Sequence, residues 1–151
     1  MWNLCAEVAQ RGGEVVTTDE VKTYLRQAYK LDKRLQREQM KLEKLRSAVE
    51  YRSPAFDGIG GSGDGNTIGR AVESILERAE HVNELTTKYT ECYKQIDDAI
   101  HAIGDETLTE VLERRYLLYQ KWEEIAHDMH RDLRWIYRLH GKALAKIKID
   151  H

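Results

Sequence analysis

Two heptad-patterned stretches, both free of proline, constrain this chain more than anything else in it. From Val21 the seam runs Val21, Tyr24, Ala28, Leu31, Leu35, Glu38, Leu42, Leu45 and Val49, in alternating steps of three and four, with Glu38 the single polar intruder. A second series runs Ile68, Val72, Ile75, Ala79, Val82, Thr86, Tyr89, Tyr93, Ile96, Ile100 and Ile103 on the same rule. Thr17, Thr18 or Asp19 can cap the first helix, and Asn66 or Thr67 the second. Helices of roughly 33 and 37 residues would run about 50 and 55 Å at the rise of an α-helix.

The segment between them, Ser53 to Asn66, cannot continue either helix, because it holds Pro54 and five glycines in fourteen residues. The composition predicts a long flexible turn. Folding back at this turn brings the seams together along nearly their whole length, as an antiparallel helical hairpin. The glycines also spell a formal GxGxxG from Gly58 to Gly63. A dinucleotide loop needs a strand before it and a βαβ unit around it, and a phosphate loop needs a following lysine, so no nucleotide site is expected.

Gly104 marks the end of the second helix, and Asp105 or Thr107 can cap the next one. Leu108, Val111, Leu112, Leu117 and Leu118 suggest a short amphipathic helix. Trp122, Ile125, Ala126 and Met129 fall on one side of a second, and Asp132 caps a third that runs from Leu133 to about Lys146. Its apolar stripe is Ile136, Leu139, Ala143, Leu144 and Ile147. About three residues separate the second helix from the third, with the small Ala126 allowing close approach, which is helix-turn-helix spacing.

Charge singles out the same end. The whole chain is nearly balanced, with 24 basic and 26 acidic residues, yet Arg131, Arg134, Arg138, Lys142, Lys146 and Lys148 face only Asp132 between positions 129 and 148. A basic helix of this kind suits a polyanion. Arg134 and Arg138 lie one turn apart and Lys142 extends the row, so this side could present donors to base edges in a major groove. Arg131, Lys142, Lys146, and Lys121 or Arg115, would hold phosphates. Trp135 falls between the two sides, and packing against the preceding helix is expected of it.

The run Trp122-Glu-Glu-Ile-Ala-His-Asp-Met-His-Arg-Asp-Leu-Arg-Trp-Ile-Tyr-Arg-Leu-His-Gly-Lys-Ala-Leu-Ala-Lys-Ile147 resembles, without a gap, region four of bacterial primary sigma factors, the helix-turn-helix that reads the −35 promoter element. Arg114-Arg-Tyr116 looks similar to the segment preceding it. A helical hairpin with a Gly/Ser-rich tip followed by such a module resembles phage and prophage sigma-like proteins, grouped with ArpU-type late-gene regulators. The resemblance implies that Leu133, Arg134, Tyr137 and Arg138 make the base-edge and backbone contacts. It also implies RNA polymerase as a second partner. Here His130 stands where the turn usually has glycine, Arg131 where a buried aliphatic is usual, and Leu133 where a polar residue is typical, so the DNA sequence read need not be a −35 hexamer.

Catalysis is not expected. His127 and His130 lack a third metal ligand at suitable spacing, no nucleophile motif is present, and few strands are predicted to frame a pocket. Neither a cofactor nor a metal is implied. Cys5 and Cys92, far apart and without CxxC, read as reduced thiols. The absence of a long uncharged apolar run and of a basic-then-apolar start argues against membrane contact and points to the cytoplasm, which the resemblance implies is that of a bacterial host cell.

The chain is therefore expected to be all-α. Residues 1–18 form an N-terminal segment, 19–104 the hairpin with its tip at 53–66, and 105–151 the helix-turn-helix domain. The expected function is regulation of transcription on double-stranded DNA, with a homodimer through the hairpin as one outcome of helix exchange. A polymerase-binding protein and a small-terminase-like packaging subunit are the alternatives.

Overall fold

A computed structural model describes residues 9–11, 14–52 and 66–149. Two short strands, β1 (Ala9–Arg11) and β2 (Glu14–Val16), pair antiparallel with Ala9 opposite Val16. All else regular is helical: α1 (Thr18–Leu25), α2 (Gln27–Arg52), α3 (Asn66–His101), α4 (Glu106–Leu112) running into a π-helical turn over Glu113–Leu117, α5 (Trp122–Asp128) and α6 (Leu133–Lys146). The all-α class holds, with the strand pair as an addition that the helical periodicities did not foreshadow. The glycine-rich segment 53–65 and Cys5 lie outside the described residues, as do the side chain of Asn66 and hence its capping role.

Thr17 starts α1 as a capping box. Its hydroxyl accepts the Glu20 N–H at 3.3 Å while the Glu20 carboxylate accepts the Thr17 N–H at 2.7 Å. The expected first long helix changes pitch at Arg26, where ψ is −7°, and the i→i−4 ladder carries on across it through Arg26 N–H to the Lys22 carbonyl and Lys30 N–H to the Arg26 carbonyl.

Contacts divide the chain into two compact units. One spans Leu31–Tyr89, and the other combines the described parts of 1–30 with those of 90–151. The division does not follow the boundary expected at 104/105. Val21, Leu25, Ala28, Ile96 and Ile100 are wholly buried, and α1 packs against α6, so both ends of the 19–104 segment share a core with the C-terminal helices.

In the 31–89 unit α2 and α3 lie antiparallel, and Leu35, Leu42, Val82 and Leu85 form a core flanked by Ile75, Ala79 and Tyr89. Every seam position from Val21 to Val49 is buried or half-buried, as its spacing predicts. On α3 the seam differs at one place. Leu85 is buried and Thr86 exposed, its hydroxyl donating to the Val82 carbonyl at 2.8 Å. The pattern admits either residue, and the larger aliphatic one gains more by leaving water. The seam is also shorter than expected, since Ile68 and Val72 remain 52% and 43% exposed.

Glu38, the intruder, is met by two cations. Arg78 on α3 donates to its carboxylate at 2.6 Å and Lys41 one turn on at 2.8 Å. The Lys41 hydrogen bond is the main reason its carboxyl sits below the usual range, with Arg78 adding to it against the opposing effect of desolvation.

Leu85→Ala should cost about 2–4 kcal/mol in chemical denaturation followed by helical circular dichroism. Thr86→Ala should stay within about 0.5 kcal/mol of wild type. Equal losses at the two positions would restore the uninterrupted heptad.

Candidate nucleic-acid interface

α4 ends against α5 through a polar clamp. Arg114 donates from Nε to Glu110 at 2.8 Å and from Nη1 to Asp128 at 3.0 Å, and Gln120 Nε2 donates to the same Asp128 oxygen at 3.0 Å. These contacts hold the Asp128 carboxyl below its ordinary range, the Gln120 and His127 hydrogen bonds first among the causes. Leu118, expected in the apolar stripe of this region, is exposed, and Tyr116 is buried in its place. The π-helical turn is the cause: its extra residue per turn rotates the segment after Leu112, and Leu118 N–H reaches back to the Glu113 carbonyl.

α5 ends in a Schellman motif. His130 N–H bonds the His127 carbonyl at 3.1 Å, Arg131 N–H bonds the Ala126 carbonyl at 2.9 Å, and His130 takes a left-handed φ of 52°. The turn position usually given to glycine thus keeps its conformation with histidine in it. Asp132 then caps α6, accepting the Trp135 N–H at 2.8 Å. Gly104, with φ of 72°, closes the chain after α3, and Asp105 caps α4 through Leu108 N–H.

α6 rests on α4, α5 and α1. Its stripe of Ile136, Leu139, Ala143 and Leu144, with Ile147 just beyond, is buried as expected, and His140 is buried with it. Trp122 fastens the middle of this helix. Its ring lies 4.7 Å from His140 and 5.4 Å from Tyr137, both edge-on, and the Arg115 guanidinium covers it at 4.6 Å.

With that side committed, the opposite one faces water. Arg131, Arg134, Arg138, Lys142 and Lys146 are all exposed, and none has a carboxylate in ion-pair range among the described residues. Arg134 and Arg138 stand side by side one turn apart, and Lys142 follows a turn later. Leu133 and Tyr137 are 36% and 49% exposed; Tyr137 has its ring edge on Trp122, so part of it belongs to the packing. Trp135 is 41% exposed, with the Arg131 guanidinium 5.6 Å from its ring. The helix of 14 residues is about 21 Å long, a length that a major groove accepts.

Two polar features escaped the sequence reading. The Tyr116 hydroxyl lies 2.9 Å from His140 Nε2, both groups buried. Burial pushes the His140 imidazole down to about 4, with the charges of Lys22, Arg115 and Arg26 adding to it. A neutral ring accepting at Nε2 lets the phenol donate, and neither group is then charged. His101 is the reverse case. Its pKa is raised, foremost by the Asp97 backbone hydrogen bond and then by the Asp97 charge, and its Nε2 lies 3.1 Å from Glu113. Asp97, His101 and Glu113 form a cluster with ligand atoms close enough for a cation, but the two carboxylates engage both ring nitrogens, so a protonated imidazolium satisfies the trio as it stands.

No family model, characterised protein or solved structure matches the chain. Among the described residues no helix is long and apolar enough to cross a membrane.

An unfolded His140 takes up its proton near its ordinary value of 6.5, whereas the folded one resists until about 4. Stability should therefore be unaffected above that range and fall as pH drops through it, by about 3 kcal/mol in all. Denaturation at a series of pH values would read this, and His140→Gln should flatten the slope. At the turn, His130→Gly should stabilise by about 1 kcal/mol, since the left-handed conformation no longer strains a Cβ.

Proposed function

We propose that this protein is a DNA-binding regulator of transcription that lays α6 in the major groove of promoter or operator DNA. One observation carries the reading. The helix after a tight Schellman turn is held by its apolar side and turns Arg134, Arg138 and Lys142, free of carboxylate partners among the described residues, to solvent. Guanidinium groups at that spacing are suited to guanine edges or to paired phosphates, and Arg131, Lys142 and Lys146 supply sequence-independent attraction. The likeness to sigma region four and to ArpU-type late-gene regulators supports the same reading, and with it a phage or prophage setting. The exposed Leu133 and Trp135 on the first turn favour a second reading, in which α6 also docks on a protein such as RNA polymerase.

Duplexes selected from a random library and titrated by fluorescence anisotropy test the proposal. Arg138→Ala should relax base preference at a cost of about 1–3 kcal/mol, whereas Lys146→Ala should weaken all duplexes alike. Binding that is absent at low salt, or indifferent to Arg134→Ala combined with Arg138→Ala, would overturn it.

A further inference from the structure

A second basic feature lies away from the row on α6. Arg26 and Tyr29, from the junction of α1 and α2, meet Arg115, Tyr116, Tyr119 and Lys121 around a cleft of about 420 Å³. The two walls come from segments far apart in sequence, so no local pattern announces the site. Tyr29 and Tyr119 touch edge to face at 5.1 Å. Tyr119 is held at φ of 58°, a conformation that strains an aromatic residue, and it places Lys121 on the same side of the chain as Arg115. Arg115 is fixed rather than waving in solvent: its Nη1 donates to the Gln120 carbonyl at 2.9 Å and its plane lies over Trp122.

None of the three cations has a carboxylate in ion-pair range among the described residues, although Lys22, their neighbour, does have Asp19. Their charge is felt inside the protein. Arg26 and Arg115 both pull down the Tyr116 phenol against the upward push of its burial, and both help to keep His140 neutral. Like charges gathered around a concavity, without counter-charges and with phenols in the wall, repel one another until an anion enters. The cleft also connects with the interface, because Arg115 and Tyr137 lie against the same Trp122 ring.

We propose that this cleft binds a phosphate group through Arg26, Arg115 and Lys121, and that the group is a backbone phosphate of the duplex whose neighbouring groove receives α6. The choice of duplex DNA as the source rests on the function proposed above; the phosphate chemistry does not. Arg26 then extends the DNA footprint beyond the helix-turn-helix to the root of the long helices.

The full chain is tested with two probes. In anisotropy titrations over a range of salt, Arg26→Gln and Lys121→Gln should each weaken every duplex several-fold and reduce the slope of log K against log salt by about 1, with base preference unchanged. Separately, inorganic pyrophosphate without DNA should shift the tyrosine ring signals in NMR saturably, and Arg26→Gln should abolish the shift. Circular dichroism of each variant checks that the helices are intact. Loss of duplex affinity in the variants, with or without a pyrophosphate response, supports a backbone phosphate. A pyrophosphate response in a chain that does not bind DNA, or whose duplex binding ignores both substitutions, keeps the phosphate site and assigns it to a free phosphate compound. If wild type binds DNA, neither substitution changes it and pyrophosphate gives no saturable shift, the cleft proposal falls while the α6 reading stands. If neither probe binds, both fall.

Discussion

Burial of one side of α6 is the constraint on which the rest of the 9–30 and 90–149 unit depends. Ile136, Ala143 and Leu144 are almost entirely removed from water against α4, α5 and α1, and they leave the helix no freedom to rotate. Rotation by one residue would drive Arg134 or Arg138 into the core, where an unpaired guanidinium is prohibitive. The direction of the basic row is therefore a result of packing, and the cap at Asp132 sets only where the helix begins. The same packing forces His140 inside, and the protein answers by keeping the ring neutral and giving it the Tyr116 hydroxyl.

Much of this was legible in the sequence. The α1–α2 seam is buried or half-buried at every position, α6 has the expected span of Leu133–Lys146, and Gly104, Asp105 and Asp132 act at the ends where their conformational and capping preferences put them. Periodicity succeeds here because one side of each helix is apolar over several turns. It was less informative where two residues compete for one place, as Leu85 and Thr86 do, or where a stripe widens, as when Leu25 is buried along with Val21 and Ala28. Heptad reading also assumes a uniform helix, and the π-helical turn that exposes Leu118 breaks that assumption. The strand pair had a signal, Gly12-Gly13 between Gln10-Arg11 and Glu14-Val15, which matches a two-residue hairpin loop.

The site divides in the same way. The charged row could be read because its members are four apart on one helix. Trp122 as the anchor of Tyr137 and His140, and Arg114 as a clamp on Asp128, could not, since each joins residues from different helices. Arg26 is the extreme example: nothing near it in sequence hints that it meets Arg115 and Lys121 across a cleft.

Glu38 and Arg78 form an ionic pair across an otherwise aliphatic and aromatic seam, with Lys41 as a second partner of the carboxylate. Sliding α2 past α3 by one heptad would keep most greasy positions matched, yet it would set the Glu38 carboxylate opposite Leu85 or Ala71 and leave Arg78 beside Leu45 or Leu31. Hydrophobic contact alone discriminates poorly between such alignments, whereas a half-buried Arg78 separated from its carboxylate adds a penalty that the native alignment avoids, while Lys41 stays with Glu38 in either case. The pair thus biases the two helices toward one alignment over its near-copies, whether both helices come from one molecule or from two.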